Sequence, residues 1–262
     1  DKFIAVGSAL TEPSYTPWLS HAGRKIKLIS SPVGTSPDII QNLINEDSIK
    51  KVAKDIKDGT KKDRKLILSA SRVDYTKGNE ELLLAFERLL ENQPELHGKV
   101  VLMLACVSAA SGMKIYEETQ RSIEEMAGRI NGRFSLVDWV PIRLSTRRIP
   151  YEELIAWFTQ ADVCWITPLR DGLNLVAKEY AAARKECGGV LVLSEFTGAS
   201  VLLEGAVLTN PYSHRKMDEA ILEALNMSKD EQIERMNSMT LAVESYTVDD
   251  WAKEQLNELE SR

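Results

Sequence analysis

The sequence predicts an α/β fold in which a Rossmann-like parallel sheet is covered by helices on both faces. From about residue 65 onward, short strand-like segments alternate with longer segments of helical periodicity. The strand-like segments are almost continuously apolar, which is typical of parallel strands buried on both faces. Two loops that combine charged residues with glycine come directly after such strands, where ligands bind in sheets of this kind. We therefore expect the functional residues at the carboxyl ends of the strands.

The first part of the chain has a less regular pattern. Residues 3–6 and 25–31 resemble short strands, and residues 39–56 have helical spacing. Residues 55–64 are polar and contain a glycine, which predicts a linker into the main domain. Because the chain opens on Asp1 with a strand-like segment directly behind it, we expect it to start within a fold.

The main domain is predicted to consist of six strands, most of them separated by helices, and three helices follow the last strand. The predicted strands cover residues 66–71, 99–107, 134–137, 163–167, 190–193 and 206–208. The predicted helices cover residues 79–91, 114–130, 150–160, 174–184, 213–226, 228–244 and 248–259. The helix at 114–130 is expected to end at Asn131 and Gly132, and Pro150 suits a first helical turn.

Composition excludes several functional classes. The 262 residues carry a formal net charge of -6, so no general field attracts nucleic acid or anionic lipid. The basic runs at 61–65 and 143–148 are interrupted and are interpreted as solvated loop or strand-edge charge. No apolar stretch is long enough to span a membrane, and no secretory signal opens the chain.

Cysteine and histidine usage predicts a cytoplasmic protein without a metal site. Cys106, Cys164 and Cys187 lie far apart with no CxxC spacing, so we interpret them as core thiols in a reducing compartment. The three histidines are scattered and have no metal-ligand spacing. No motif requires a metal ion or another cofactor.

The first loop with a chemical pattern is SRVDYTKG at residues 71–78, between a predicted strand and a predicted helix. Arg72 and Lys77 are two cations that can converge on one diphosphate, with Arg72 forking two oxygens and Lys77 acting as a point charge. Gly78 would let the backbone turn closely. The alternative is that both cations pair with local carboxylates such as Asp74 or Glu80, and spacing alone leaves the two interpretations even.

The second loop is TPLRDGLNLVAKEY at residues 167–180, after the predicted strand 163–167. It opens a helix, whose first turn offers N–H groups and the positive end of a dipole to a phosphate. Asp171 and Asn174 suit contacts with sugar hydroxyls, Glu179 could hold a ribose, and Gly172 permits close approach. The alternative makes Asp171 or Asn174 a simple helix cap.

A third strand-to-helix junction lies at residues 194–200. From this junction Glu195 could contact the ligand. Packing or surface charge is the favoured role for this side chain.

Three runs resemble the trehalose-6-phosphate synthase family of retaining glucosyltransferases: SRVDYTKG from Ser71, TPLRDGLNLVAKEY from Thr167 and VLVLSEFTGA from Val190. The resemblance extends from about Gly23 to the end of the chain. It implies a fold of the GT-B type, with two Rossmann-like domains and the nucleotide sugar held mainly by the second. On that basis residues 1–55 are expected to be the remnant of the first domain plus a linker, 56–245 the donor-binding domain, and 246–262 a helix crossing back to the first domain.

The resemblance also implies roles for individual residues. Arg72 and Lys77 would clamp the diphosphate, Asp171 would contact the glucose hydroxyls, and Glu179 would hold the ribose. Arg147 or Arg148, together with Ile149, falls in the segment that lies beside the nucleobase in the family. The backbone expected to cradle sugar and phosphate is that of Gly172, Leu173, Asn174, Leu175 and Val176.

Two sequence changes depart from the family pattern, and the first concerns the acceptor. Ala110 stands where trehalose-phosphate synthases carry an arginine that binds the phosphate of glucose 6-phosphate. A missing guanidinium removes a charge-assisted fork, which weakens the case for a sugar-phosphate acceptor. The first motif begins Ala70-Ser71-Arg72-Val73 where aspartate-arginine-leucine is more usual. Both changes resemble the glucosylglycerol-phosphate synthase branch.

The function implied is transfer of glucose, with retention, from ADP-glucose to glycerol 3-phosphate, which yields an osmoprotectant precursor. The partners are these two substrates and the first domain of the same enzyme, and a homo-oligomer is possible. The isolated chain could lack activity. The alternatives are a trehalose-6-phosphate synthase, a binding module that is inactive without its first domain, and a nucleotide-sugar epimerase or phosphorylase on the same architecture.

Overall fold

The described part of the chain begins with a short antiparallel hairpin and continues into a parallel sheet. The computed structural model describes residues 18–60, 63–108 and 114–260. Strands β1 (Trp18–His21) and β2 (Arg24–Lys27) form the hairpin. The sheet strands are β3 (Lys65–Arg72), β4 (Val100–Val107), β5 (Ile142–Ser145), β6 (Val163–Ile166), β7 (Val190–Ser194) and β8 (Val207–Thr209). Their order is β5-β4-β3-β6-β7-β8 and every pairing is parallel, which confirms the predicted fold class.

Helices cover both faces of this sheet. They are α1 (Pro37–Asn45), α2 (Asp47–Thr60), α3 (Asn79–Asn92), α4 (Lys114–Phe134), α5 (Tyr151–Gln160), α6 (Leu175–Ala183), α7 (His214–Asn226), α8 (Lys229–Glu244) and α9 (Val248–Glu260). The core on one face is formed with α3, α4 and α7, and the core on the other with α1, α2, α5, α6 and α8. Most predicted elements agree with the observed ones to within two residues.

Strand β6 shows why the inner strands are almost continuously apolar. Val163 and Trp165 belong to one core, whereas Cys164 and Ile166 belong to the other. Alternate residues of a strand point to opposite faces, so a strand with two covered faces needs no polar positions. Among the cysteines, Cys106 and Cys164 are buried as expected, but Cys187 is exposed and is not a core thiol.

The first part of the chain differs from the prediction in two places. The strand expected at 25–31 is instead β2, which ends at Lys27 and pairs with β1. The continuous helix expected at 39–56 is two helices, because Glu46 adopts an extended conformation after α1. The strand predicted at residues 3–6 lies outside the described residues.

The linker predicted at 55–64 was wrong for most of its length, because α2 continues through Gly59 to Thr60. Buried Ile49 and Ile56 lie on one face of α2 and belong to the core shared with α5. The Thr60 hydroxyl donates to the Ile56 carbonyl at 2.8 Å. Tertiary packing of an amphipathic face outweighs the low helix propensity of a single glycine.

The strand predicted at 134–137 was also wrong, as was the helix end at Asn131 and Gly132. Helix α4 continues to Phe134, and the edge strand is β5, which starts at Ile142. The Asn131 side chain does not end the helix but donates to and accepts from the backbone of Ile142, at 2.9 Å each. Because β5 is an edge strand, it tolerates Arg143 and Ser145, so its residues lack the apolar signal of the inner strands.

Helix α9 packs against the segment that follows the hairpin. The Trp251 indole donates to the Ser31 carbonyl at 3.2 Å, and Val248 N donates to Thr35 O at 2.9 Å. Lys27 and Glu258 form an ion pair at 2.6 Å. The domain boundaries, including the expected crossing of this helix to a first domain, stay a prediction.

No helix in the described ranges is both long and apolar enough to cross a membrane.

Candidate functional site

A cleft of about 470 Å³ lies at the carboxyl ends of β3, β4 and β6. This is the position at which parallel α/β sheets bind ligands, because loops and helix N-termini converge there. Eight of the predicted site residues line it: Arg72, Lys77, Ile149, Asp171, Leu173, Asn174, Leu175 and Val176. Gly172, Arg147 and Glu179 do not line this cleft. The functional roles assigned to all of them from the sequence stay predictions.

The loop after β3 presents its two cations differently. The Arg72 side chain is 72% exposed, and its Nη2 lies 3.9 Å from Asp74 Oδ2, which is beyond hydrogen-bond distance. Asp74 accepts hydrogen bonds from the backbone N–H and the hydroxyl of Thr76, at 2.9 and 2.8 Å, and so fixes the turn. Lys77 turns into the cleft. The alternative interpretation, local pairing with Asp74 or Glu80, does not apply to Lys77. Only Arg72 has such a carboxylate nearby.

Lys77 pairs with Asp171, a carboxylate 94 residues further along the chain. The Nζ–Oδ2 distance is 2.7 Å, and both side chains are largely buried. Asp171 also accepts from Leu173 N at 3.3 Å and from the Asn174 side chain at 3.2 Å. Burial alone would raise the pKa of the Asp171 carboxyl, but Lys77 and the two amide donors outweigh it and hold the pKa below its usual value.

Asn174 has two roles at the start of α6. Its backbone is left-handed, with φ of 72°, a conformation that asparagine tolerates better than most residues. Its side-chain oxygen accepts from Ala177 N at 3.0 Å, so it is the helix cap. Its side-chain nitrogen donates to Asp171. Capping and orientation of the neighbouring carboxylate therefore occur together, and the first turn of α6 faces the cleft through Leu175 and Val176.

The loop after β6 is fastened directly to the loop after β3. Leu169 N donates to Thr76 O at 2.7 Å, and the Thr167 hydroxyl donates to Gly78 O at 3.0 Å. Gly78 has a φ of 66°, and a Cβ there would lie 1.9 Å from the Thr167 carbonyl oxygen. Only glycine allows this approach, which brings Lys77 to Asp171.

The same loop is also fixed on its other side, by the junction after β7. Asp171 N donates to Phe196 O at 3.1 Å, and Gly198 N donates to Asp171 O at 2.9 Å. A Cβ on Gly198 would lie 2.1 Å from the Gly172 carbonyl oxygen. This junction therefore positions Asp171 through its backbone. Glu195 is exposed, accepts a hydrogen bond from the Asn210 side chain and does not line the cleft, and its favoured role of packing or surface charge stays a prediction.

Gly172 itself is exposed, and a Cβ built on it meets no atom within 4 Å. The protein does not need a glycine here for its own packing. The open space beside the backbone is compatible with close approach of a ligand.

Glu179 lies one helical turn beyond the cleft and is half-buried. Burial raises the pKa of its carboxyl to about 7, and the Tyr151 hydroxyl, which donates to Glu179 Oε1 at 3.3 Å, only partly opposes this. Tyr151 was not predicted as a site residue. It is the first residue of α5 and lies two positions after Ile149 in the segment assigned to the nucleobase. This closeness in sequence is the signal that could have found it.

Arg147 and Arg148 are exposed and do not line the cleft, whereas Ile149 does. Some cleft residues, contributed by β4 and α5, were not predicted from the sequence. These are Ala105, Val107 and Leu154. No motif marks these residues, because their place at the cleft depends on the order of the strands in the folded sheet.

Ala110, on which the acceptor argument depends, lies outside the described residues. Within the described ranges, no group of three or more His, Cys, Asp or Glu side chains is arranged to hold a metal ion.

Comparison with known proteins shows the family. The profile of glycosyltransferase family 20 matches residues 1–261. The chain belongs to glycosyltransferase family 20. Family 20 membership agrees with the resemblance to trehalose-6-phosphate synthases that the three sequence motifs suggest. Two of these motifs, which begin at Ser71 and Thr167, contribute residues to the cleft.

Two curated relatives are glucosylglycerol-phosphate synthases. The protein of Synechocystis sp. is 49% identical over 98% of this chain and 51% of its own length. The protein of Picosynechococcus sp. is 48% identical over 92% of this chain and 48% of its own length. The chain thus spans about half the length of the curated relatives it matches.

A solved family 20 structure has the same fold. The α,α-trehalose-phosphate synthase (UDP-forming) of Burkholderia xenovorans, in complex with glucose-6-phosphate, aligns with a TM-score of 0.90 at 37% identity. The alignment covers 95% of this chain and 55% of that protein. The α/β sheet with helices on both faces is therefore shared with this solved trehalose-phosphate synthase.

Proposed function

We propose that this chain is the donor-binding part of a retaining glucosyltransferase that transfers glucose from ADP-glucose to glycerol 3-phosphate. The observation that carries the proposal is the cluster of Lys77, Asp171 and Asn174 beside Arg72 at the carboxyl ends of β3 and β6. It combines two cations, which suit a diphosphate, with a carboxylate and an amide, which suit sugar hydroxyls. The relatives from Synechocystis and Picosynechococcus support the product, glucosylglycerol phosphate.

The donor would lie along the cleft with its diphosphate between Arg72, Lys77 and the first turn of α6. The glucose would contact Asp171, with the exposed backbone of Gly172 beside it, and the ribose would contact Glu179. The base would lie towards Arg147 and Ile149. No cofactor is needed in this proposal, because the positive charge around the diphosphate activates the leaving group.

Departure of ADP builds negative charge on the diphosphate. Donors that are already oriented towards that position stabilise the transition state more than the ground state. Arg72, Lys77 and the N-terminus of α6 would supply this effect. We propose a front-face route with retention, in which the leaving phosphate assists deprotonation of the acceptor hydroxyl.

The acceptor is assigned with the help of Ala110, which stands where the resemblance to trehalose-phosphate synthases implies an arginine. A trehalose-6-phosphate synthase is the second candidate, and the Burkholderia xenovorans enzyme with glucose-6-phosphate supports it through its similarity. The acceptor site and turnover would require a first domain of the same enzyme in addition to the cleft.

Two experiments test this proposal. Calorimetric titration of the chain with ADP-glucose, UDP-glucose and ADP should show binding, with the ADP-based ligands favoured. If none of the three binds, donor binding by this cleft is refuted. An assay of the full-length enzyme with ADP-glucose should give product with glycerol 3-phosphate, and product with glucose 6-phosphate alone would contradict the acceptor assignment.

A further inference from the structure

The two cations of the cleft differ in whether their charge is already compensated. The Lys77 ammonium is 2.7 Å from Asp171, and the two side chains are only 18% and 16% exposed. The Arg72 guanidinium is 72% exposed and 3.9 Å from its nearest carboxylate. A diphosphate that enters the cleft can therefore recruit Arg72 freely, but it must compete with Asp171 for Lys77.

This competition leaves Asp171 in an unfavourable position. If Lys77 turns to a diphosphate, Asp171 becomes a largely buried carboxylate that has lost its cation and faces a second anion. A buried charge without its partner is costly, and neighbouring like charges add to the cost. The remaining donors to Asp171 are Leu173 N at 3.3 Å and the Asn174 amide at 3.2 Å, both long hydrogen bonds.

A sugar attached to the diphosphate changes this balance. Its hydroxyl groups donate hydrogen bonds and can replace the Lys77 ammonium as partners of the carboxylate. A nucleoside diphosphate alone has no group at this position. The same carboxylate therefore favours one ligand and disfavours the other.

We infer that Asp171 is a specificity residue that discriminates the nucleotide sugar from the free nucleoside diphosphate, by holding Lys77 until sugar hydroxyls replace it. The inference rests on the proposed binding of a nucleotide sugar in this cleft. After transfer of the sugar, Asp171 recovers Lys77 and weakens the hold on the nucleoside diphosphate product. Because its pKa lies below the usual value, the carboxyl is charged at neutral pH and the discrimination operates there.

The test is the binding of ADP and of ADP-glucose to the unmodified chain and to Asp171→Asn. The substitution keeps an oxygen for Leu173 N but removes the charge. We expect ADP to bind about three- to tenfold more tightly, as for loss of a competing ion pair, and ADP-glucose to bind more weakly. If both ligands bind more weakly by the same factor, Asp171 has a structural role only and the inference is wrong.

Asp74→Asn is the matched control. It neutralises the carboxylate nearest Arg72, which does not line the cleft, while keeping an oxygen for the Thr76 amide. We expect it to shift ADP and ADP-glucose in the same direction. Opposite shifts in this control would mean that any loss of negative charge separates the two ligands, and would overturn the specific role of Asp171.

A stability measurement and a second substitution at Asp171 keep the outcome interpretable. Thermal unfolding of each variant checks the fold, and Asp171→Ser provides a smaller substitution that should show the same opposite shifts if Asp171→Asn unfolds. Failure of both variants to separate ADP from ADP-glucose refutes the inference. Failure of the unmodified chain to bind any nucleotide sugar refutes the proposed function instead, so the two failures are distinguishable.

Discussion

The two ends of the cleft are built differently. At the end assigned to diphosphate and sugar, the loop after β6 is hydrogen-bonded to the β3 loop on one side and to the β7 junction on the other. At the end assigned to the nucleoside, Arg147 and Glu179 do not line the cleft itself: Arg147 is exposed, and Glu179 has a long 3.3 Å contact with Tyr151. The difference teaches where preorganisation matters: in the proposed reaction charge would move at the first end, whereas the second end would only have to bind.

The largest effect is expected for a substitution that separates the loop after β3 from the loop after β6. In Gly78→Ala the new Cβ would lie 1.9 Å from the Thr167 carbonyl oxygen, and alanine would have to adopt a φ of 66°. The two loops must move apart, so we expect the free energy of unfolding to fall by at least about 2 kcal/mol. Chemical denaturation measures this change, and calorimetry should show that ADP binding is lost or strongly weakened.

Gly172→Ala is the control for that prediction. Its Cβ points into open space, so the free energy of unfolding should change by less than about 1 kcal/mol. Equal destabilisation by the two substitutions would show that the approach of the two loops at Gly78 is not what holds the cleft together.

The next largest effect concerns the exposed cation of the same end. Arg72→Ala should lower the turnover rate of the full-length enzyme by about 10²- to 10³-fold, as for loss of one preorganised donor to developing charge. Thermal unfolding should be unchanged because the side chain is 72% exposed. Arg147→Ala removes an exposed cation at the nucleoside end and should lower the rate far less. Equal losses would contradict the difference between the two ends.

The smallest effect is expected at the nucleoside end, as a dependence on pH. The folded protein raises the pKa of Glu179 from 4.5 to about 7, so between these values the folded state binds more protons than the unfolded state. The free energy of unfolding should therefore fall as the pH rises from about 4.5 to about 7. ADP affinity should rise over the upper part of this range, because ribose hydroxyls donate to the charged carboxylate.

Glu179→Gln should flatten both profiles. The Tyr151 hydroxyl donates to Glu179 and thereby lowers the pKa of that carboxyl. Tyr151→Phe removes this hydroxyl, so the midpoint of both profiles should move to higher pH. The charge of Glu152 also raises the pKa of Tyr151, and this residue is unchanged in both variants. An ADP affinity that is independent of pH in the unmodified chain would exclude Glu179 as a titrating ribose contact.

Several elements could be predicted because their signal is local. The inner strands are almost continuously apolar, and the loops after β3 and β6 carry charge next to glycine. The predictions failed where neighbours decide the structure. Helix α2 passes through Gly59 because it packs against α5, and strand β5 lacks an apolar pattern because it lies at the sheet edge.

The sequence alone determined the fold class, the family resemblance and the two loops of the cleft, because hydrophobic periodicity and motif spacing are properties of neighbouring residues. Only the tertiary structure decided that Lys77 pairs with Asp171 and not with Asp74 or Glu80, and that Arg72 remains exposed. The reason is that the pair joins residues 94 positions apart. Their contact depends on the adjacency of β3 and β6 and on the close approach of Gly78 to Thr167, which no local pattern encodes.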